Sequence, residues 1–468
     1  MSGDHLTATM LERPSAFGLS LSVVRWAAIA GAVTGIAYAF SPLTVIVALA
    51  TVPFVRWAGR DVTGVERQWL FTLLAVAIAF RVIAIAALFL TANPDAGTFA
   101  KFFGDEEFYQ LRGLRLYNIW MGIPISQESF AYAYDKTGYT SYQEILIFLH
   151  VLFGPMPYGI HLLNAALFLT GIVLLYRLVR VSFGPMPALV GFAYLLFLPS
   201  LFMWSVSALK ESSYLLLTSI VLVSTMATAR SESLVARAAA LIVVIGVGSW
   251  LETLRAGGRV ITLGGAALGY ALRIVSLRRW AMALACGLAL AVIAVVWQRG
   301  LPAPVQNQLH ASARYHRGHV FTPGHSYKLL DQRFYSTAWA PLAFPAMTAA
   351  ETARYLVRAP IHFVVEPIPW RVASRLELAY LPELVVWYVA VLLVPFGLVA
   401  GFRRDALLTC VLAGYSFISA GIIALNSGNI GTLVRHRALV APYLGWISAL
   451  GFVSLLSLAR RSERSTPS

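Results

Sequence analysis

Residues 69–91 read WLFTLLAVAIAFRVIAIAALFLT, 23 positions whose only charge is Arg81. About 20 residues of α-helix cross a hydrocarbon core of about 30 Å, so this stretch is long enough to span a bilayer. Working outward, comparable windows recur at 21–39, 159–179, 187–204, 214–228, 280–297, 384–402, 406–425 and 438–458. Weaker ones lie at 43–55, 234–250 and 260–275, short or glycine-rich segments suited to tilted, broken or inward-packed helices. The total is about twelve spans. Of the 468 residues, 59% are hydrophobic and 12% charged. That charge is roughly half of the ~25% usual in soluble domains. A water-soluble fold of this size would be short of polar surface. The fold class expected is all-α, a polytopic integral membrane protein forming one membrane domain over 1–468.

Arginine in the short loops sets the expected orientation. Arg56, Arg60 and Arg67, Arg177 and Arg180, Arg230 and Arg237, Arg278 and Arg279, Arg403 and Arg404, and Arg460, Arg461 and Arg464 fall on one side. That side reads as cytoplasmic, with both termini on it, in a bacterial inner membrane. Two long extracytoplasmic loops follow, 92–142 with amphipathic helices and 298–382, and a disordered tail at 460–468. The net charge of +15 is largely these arginines, so nucleic acid is not called for as a partner. Ala37-Tyr38-Ala39 resembles a signal cleavage site, but the leader is long and weakly basic and a second apolar run follows at once, so an uncleaved first helix is expected. Cys286 and Cys410 sit in separate spans and read as small buried hydrophobes.

Polar groups are costly near hydrocarbon, so the informative residues are those kept there. Asp105, Glu106 and Glu107, with Tyr109, stand in the first long loop among Phe102, Phe103, Phe108, Leu111, Leu114 and Trp120, the pattern of an amphipathic helix lying on the membrane face. A carboxylate at the bilayer lip reaches a hydroxyl acceptor while facing a lipid-borne substrate; the plainer alternative is a solvated turn with an acidic helix start. Lys210 and Glu211 sit between apolar stretches, as a snorkelling pair or as part of a polar site. Glu252 to Arg259 carries Arg255, Gly257, Gly258 and Arg259, either a hairpin with interfacial arginines or a phosphate contact that the glycines let the backbone approach.

Arg435, His436 and Arg437 open the last span, where two guanidiniums, an imidazole and a helix N-terminus suit a phosphate or pyrophosphate. The second long loop holds His310, Arg314, His316, Arg317, His319, His325, Lys328 and Arg333, read as a solvated or glycan-facing surface because cations stand among the would-be metal ligands. The prolines of Glu366-Pro367-Ile368-Pro369-Trp370 and Leu381-Pro382-Glu383 mark irregular backbone on re-entry. Arg25, Arg81 and Arg273 are read as snorkelling or helix-pairing residues.

One outer carboxylate and several outer cations together suggest group transfer from a phosphate-bearing lipid. A sugar on a polyprenyl phosphate has a good leaving group that needs charge stabilisation, and the acceptor hydroxyl needs a base.

The order of motifs resembles the membrane-embedded GT-C glycosyltransferases, particularly the bacterial branch of protein mannosyltransferases and aminoarabinose transferases. Asp105-Glu106 with Tyr109 looks like that family's acidic motif. Phe153-Gly154 with His161, Leu162 and Asn164, then Tyr176, Arg177, Phe183, Gly184 and Ala188, and then Leu198-Pro199-Ser200 to Lys210-Glu211, resemble the segments that follow it. The resemblance implies Asp105 as catalytic base, Glu106 beside it as helper or metal-facing group, and a polyprenyl-phosphate-linked sugar donor. It implies a glycan, lipid or protein acceptor and an inverting transfer. It requires no cofactor, though Mg or Mn is compatible. The chain departs from the family in lacking a sizeable C-terminal periplasmic domain, in an extra leading hairpin and in the third carboxylate, Glu107. An O-antigen polymerase or ligase acting on undecaprenyl-pyrophosphate glycan through Arg435, His436 and Arg437, and a lipid-linked glycan transporter or flippase, are the alternatives.

Overall fold

The structure is a computed structural model and describes residues 15–16, 19–40, 42–92, 101–135, 138–155, 157–335, 344–372 and 375–465. After a two-residue antiparallel pair, Ser15–Ala16 with Leu19–Ser20, the described chain is helical throughout its regular part. The first three helices are α1 (Leu21–Phe40), α2 (Pro42–Ala58) and α3 (Gly64–Thr91). The first long loop holds α4 (Gly104–Trp120), α5 (Gln127–Tyr134) and the start of α6 (Ser141–Phe153). Next come α7 (Pro157–Phe183), α8 (Pro185–Phe197), α9 (Pro199–Ser205), α10 (Glu211–Arg230), α11 (Leu234–Leu254), a π-helical turn (Val260–Gly264), α12 (Gly265–Leu277) and α13 (Arg279–Arg299). The second long loop carries α14 (Ala303–Val320) and α15 (Ala349–Val365), and the chain ends with α16 (Arg375–Arg404), α17 (Ala406–Asn426), the short α18 (Ile430–Arg437) and α19 (Ala441–Ser465).

All the expected windows fall on helices, but not all as single full-length spans. Among the described residues, 8 helices are long and apolar enough to cross a membrane, and α8 with α9 is apolar enough as a pair but bent by 65° at its break. The windows of α1, α2 and α13 are apolar but shorter in their described parts. The chain is therefore an all-α, polytopic membrane protein, with fewer full-length spans than the windows suggest. Pro382 breaks nothing: it lies inside α16, as proline does in membrane helices whose neighbours supply the lost contacts. The Pro367 and Pro369 region is irregular as expected, with α15 stopping at Val365 and a 3-10 turn at Pro369–Arg371. Helix α19 continues to Ser465, while 466–468, the end of the expected tail, lie outside the described residues.

Water does not drive helices together inside lipid, so close backbone approach must do more of the work. In α12, Gly269 lies where a Cβ would press on the Val411 backbone of α17, and Gly414 of α17 lies directly against Gly265 and Gly269. The glycines that weakened window 260–275 as a span are thus what seat it in the bundle.

The break between α8 and α9 follows from Pro199. A continuous helix would bond the Ser200 N–H to the Leu196 carbonyl; here each takes a side chain instead. Arg81 of α3 donates through Nη2 to Leu196 O (3.0 Å) and through Nε to Ser205 Oγ (2.8 Å). Glu383 of α16 accepts from Ser200 N (2.9 Å) and Ser200 Oγ. Arg81 is only 1% exposed and lies between Phe168 and Phe202. It is a helix-pairing residue, not a snorkelling one.

Arginines at the end of the bundle opposite the two long loops are largely paired: Arg177 with Asp61 (3.3 Å), Arg180 with Glu66 (2.9 Å), Arg230 with Asp405, and Arg404 with the Phe183 carbonyl.

Candidate active site

The site grows from a ledge, residues 206–210, between α9 and α10. Its carbonyls would be unsatisfied at this depth without Asn164 of α7, whose Nδ2 donates to Ser207 O (2.7 Å) and Leu209 O (2.9 Å) and lies 3.2 Å from Tyr142 Oη. The Ala208 N–H donates to Glu106 Oε2 (3.0 Å), which also faces His161 Nε2 at 3.1 Å. Glu106 Oε1 turns back to accept from Phe102 N (3.0 Å) and Phe103 N (2.9 Å) and caps α4. Burial opposes its ionisation, but His161 and the Ala208 and Phe103 N–H groups outweigh that and hold the carboxyl below its usual range. Glu106 is therefore the peg that fixes α4 on the ledge. With both oxygens engaged, it is not available as the catalytic helper or metal-facing group expected of it.

Fixing α4 and the ledge brings Asp105, Tyr109, Lys210 and Glu211 together. Arg435 from α18 donates through Nη2 to Glu211 Oε1 (3.0 Å) and through Nη1 to Asp105, with Phe103 under its guanidinium at 5.5 Å. Glu211 and Asp105 together outweigh burial and hold Arg435 firmly charged. From the other side, Arg255 Nη1 reaches to 3.5 Å from the same Glu211 oxygen. The two carboxylates differ: the Glu211 side chain is 1% exposed and that of Asp105 is 56% exposed. Lys210 Nζ lies 5.5 Å from the centre of the Tyr109 ring, which meets Tyr142 edge-on at 5.5 Å. Burial, and after it the Arg255 cation, push the Lys210 ammonium down to about 8. Burial raises the Tyr109 hydroxyl to about 12, with Glu211 and Asp105 adding to it. His436 lies among Arg255, Arg435 and Lys210; burial and those cations hold it well below the usual histidine range, and it stays neutral.

Glu211 Oε2, Arg255 Nη1 and Arg435 Nε are buried without a hydrogen-bond partner among the described residues. Unmet polar groups of this kind are costly, and their grouping marks a place for a ligand. Beside Glu211 lies a small apolar gap lined by Trp204, Tyr214, Leu439 and Tyr443 among others.

Several expected site residues are placed elsewhere. Glu107 turns outward to pair with Lys101. Arg259 is exposed and meets Glu252 through its main-chain N–H (3.0 Å). The Gly257 N–H takes the other Glu252 oxygen (3.1 Å), with Gly257 at φ 83, so the glycine pair closes the turn that presents Arg255. Arg437 points the opposite way from Arg435, with Nε on Phe363 O (2.7 Å) and its guanidinium against Phe363 and Trp387. Residues 435–437 form the last turn of α18 rather than the start of the last span. The helix end there favours cations, and the N-terminal donors of α18 are taken by Asn429, which caps Gly431 N (2.9 Å) and Thr432 N (3.3 Å).

The second long loop is solvated at Arg314, His325, Lys328 and Arg333, as expected, but it also has a packed side. Within it His316 is fully buried, with Tyr327, Tyr335 and Tyr355 edge-on to it, and burial pushes it down to about 3. Its interleaved aromatics are the cause: they give the loop a core of its own. The loop grips the segment leading into α18 through Tyr327 N to Gly428 O (2.9 Å) and Ile430 N to His325 O (3.0 Å), and so aims Arg435. Likewise α4 buries Gln110 and Arg112 beside Tyr109 and Leu116, so its covered face is a protein contact. Tyr142 was not foreseen as part of the site, and Asn164 only as a family motif; a lone asparagine in an apolar span was the available signal.

Among the described residues no three His, Cys, Asp or Glu side chains group as a metal site, and both site carboxylates are engaged by Arg435.

No known family profile matches the chain, and no curated protein matches it. Among solved structures it is similar to ArnT from Cupriavidus metallidurans in the apo state, at 15% identity and a TM-score of 0.47, over 85% of this chain and 62% of that one. It is similar also to the same protein bound to undecaprenyl phosphate, at 13% identity and a TM-score of 0.46, over 85% and 64%. This chain spans less than two thirds of the length of the chains in those two structures.

Proposed function

We propose that the chain transfers a sugar from a polyprenyl-phosphate donor to a hydroxyl acceptor, at the end of the bundle that carries the two long loops, with Asp105 as general base. One observation carries this: Arg435 joins Asp105 of the first loop to Glu211 of the ledge, across 330 and 224 residues of sequence, with Arg255 and Lys210 beside them. Arg255, Arg435 and Lys210 face the donor phosphate, and the unmet guanidinium N–H groups take its oxygens. The buried Glu211 holds both arginines in place.

The more exposed Asp105 takes the acceptor proton as the acceptor oxygen bonds to the anomeric carbon and the carbon–phosphate oxygen bond breaks. The departing phosphate keeps the electron pair, and the arginines stabilise its growing charge. Attack opposite the phosphate inverts the anomeric centre. Because Asp105 is paired with Arg435 at rest, the donor phosphate frees the base by drawing Arg435 onto itself, so the donor binds before the acceptor. The polymerase or ligase alternative relies on Arg435, His436 and Arg437 acting together. Arg437 points away from Arg435, with Nε on Phe363 O, and His436 is neutral, which favours the transferase reading.

The test is Asp105→Asn with a polyprenyl-phosphate sugar. Turnover falls by about 10² to 10⁴ while donor affinity is kept. Turnover within threefold of the unmodified protein rejects Asp105 as the base.

A further inference from the structure

At the end of the bundle opposite the candidate active site, a cavity of about 430 Å³ opens between the end of α2 with its following turn and the side of α7. Arg60, Asp61, Arg177 and Arg180 line its polar part, with Trp57 beside them. Cations outnumber their partners here. Arg180 is taken by Glu66, while Arg60 and Arg177 share Asp61, at 4.0 and 3.3 Å. The Arg60 and Asp61 side chains are 76% and 71% exposed, so the pair between them is weak.

The turn that presents them is built, not loose. Arg177 Nη1 donates to Trp57 O and Arg60 O, both at 2.9 Å, and its guanidinium lies 5.6 Å from the Trp57 ring. These bonds support Asp61 at φ 66, a left-handed conformation that few residues other than glycine adopt. The remaining wall is apolar, and Leu174, one turn before Leu178 on α7, carries it from the arginines toward the middle of the bundle. Guanidiniums beside a tryptophan and above a hydrocarbon wall match a ligand with an anionic head and an apolar tail.

We propose that this cavity binds an anionic phospholipid, its phosphate against Arg60 and Arg177 and an acyl chain along Leu178 and Leu174 toward the middle of the bundle. The proposal is independent of the activity assigned to the other end of the chain.

The experiment titrates the full chain, in a zwitterionic detergent, with phosphatidylglycerol, phosphatidylcholine or inorganic phosphate, and reads bound lipid by native mass spectrometry. Phosphatidylglycerol is expected to bind in preference to phosphatidylcholine. Arg60→Ala, at an exposed side chain, weakens it about fivefold, the effect of one arginine near an anionic surface. Asp61→Asn removes the shared counter-charge at a position where asparagine tolerates the backbone, and strengthens binding by a similar factor. Arg56→Ala, exposed nearby but outside the cavity, is the control and has a smaller effect than Arg60→Ala. Equal losses at Arg56 and Arg60, no gain at Asp61→Asn, or no preference for phosphatidylglycerol overturns the site. Displacement of the lipid by millimolar inorganic phosphate overturns the lipid assignment in favour of a free anion.

Discussion

Replacing Arg435 by Gln separates its work in the fold from its work on the donor. Its contact with Asp105 is to a carboxylate 56% exposed, and such pairs contribute at most about 1 kcal/mol. Its contact with Glu211, at 3.0 Å and 1% exposed, is of another kind. Stripping one partner from a buried pair costs about 3–5 kcal/mol when nothing replaces it. Here Arg255 already stands 3.5 Å from the same oxygen and closes part of the gap, so the expected loss of stability is about 2 kcal/mol. Glu211→Gln removes the charge that would be stranded. The double variant is then more stable than the sum of the two single losses predicts, by about 1–2 kcal/mol.

Donor affinity behaves differently. Charge-assisted bonds to a phosphate contribute about 1.5–3 kcal/mol, so Arg435→Gln weakens binding of a polyprenyl phosphate about ten- to a hundredfold. Glu211→Gln does not restore it. Denaturant unfolding in mixed micelles gives the first quantity and equilibrium lipid binding the second. If affinity returns together with stability in the double variant, Arg435 is only a strut and the donor site lies elsewhere.

Lys210 provides a pH test. Below about pH 8 it is charged in the folded and unfolded chain alike; between about 8 and its ordinary value near 10.4 only the unfolded chain holds the proton, so stability from this group rises with pH across that window. Donor affinity falls over the same range as the cation facing the phosphate is lost, and Lys210→Arg flattens the fall; the same slope in both proteins excludes Lys210 from the donor site. Glu106→Gln, which weakens the peg between α4 and the ledge, lowers unfolding free energy by about 1.5–3 kcal/mol, whereas Glu107→Gln at the surface changes it by less than about 1 kcal/mol; equal losses would contradict the different roles drawn for them. Gly269→Ala forces a methyl into the α17 backbone and destabilises by about 1–3 kcal/mol, while Gly246→Ala, which meets nothing within 4 Å, is neutral or slightly stabilising. Thermal unfolding of the two in the same detergent decides it.

The spans were legible in the sequence because apolar length is a local property, and each window became a helix. Span number was not, because the described parts of α1, α2 and α13 are apolar but shorter than a full crossing, and apolar composition alone does not say where a helix stops. The site shows the same division. Asp105, Lys210, Glu211, Arg255 and Arg435 stood out as charges with no topological reason to be where they are, and they converge. Glu106 looked identical to Asp105 in the sequence; one residue along a helix rotates a side chain by about 100°, and that turns Glu106 inward to the ledge and leaves Asp105 at the opening. Arg437 is separated from Arg435 by the same geometry, two positions and about 200°, which puts it on the opposite face of α18. His316 alone of the second-loop histidines misled, because its charge looks like a surface group until Tyr327, Tyr335 and Tyr355, which pack around it, are known.

The locked break between α8 and α9 also bears on how the molecule can move. A proline interruption in a membrane helix often serves as a hinge, since the unbonded backbone on either side tolerates bending. Here the two backbone groups freed at Pro199 are held by side chains from different helices, Arg81 on one flank and Glu383 on the other, so bending at that point would break both attachments at once. The ledge above it is thus a stationary shelf. A carrier that rocked its two halves about this break would have to release a buried arginine into lipid in every cycle, whereas an enzyme needs only that its loops part to admit substrates while the shelf stays still.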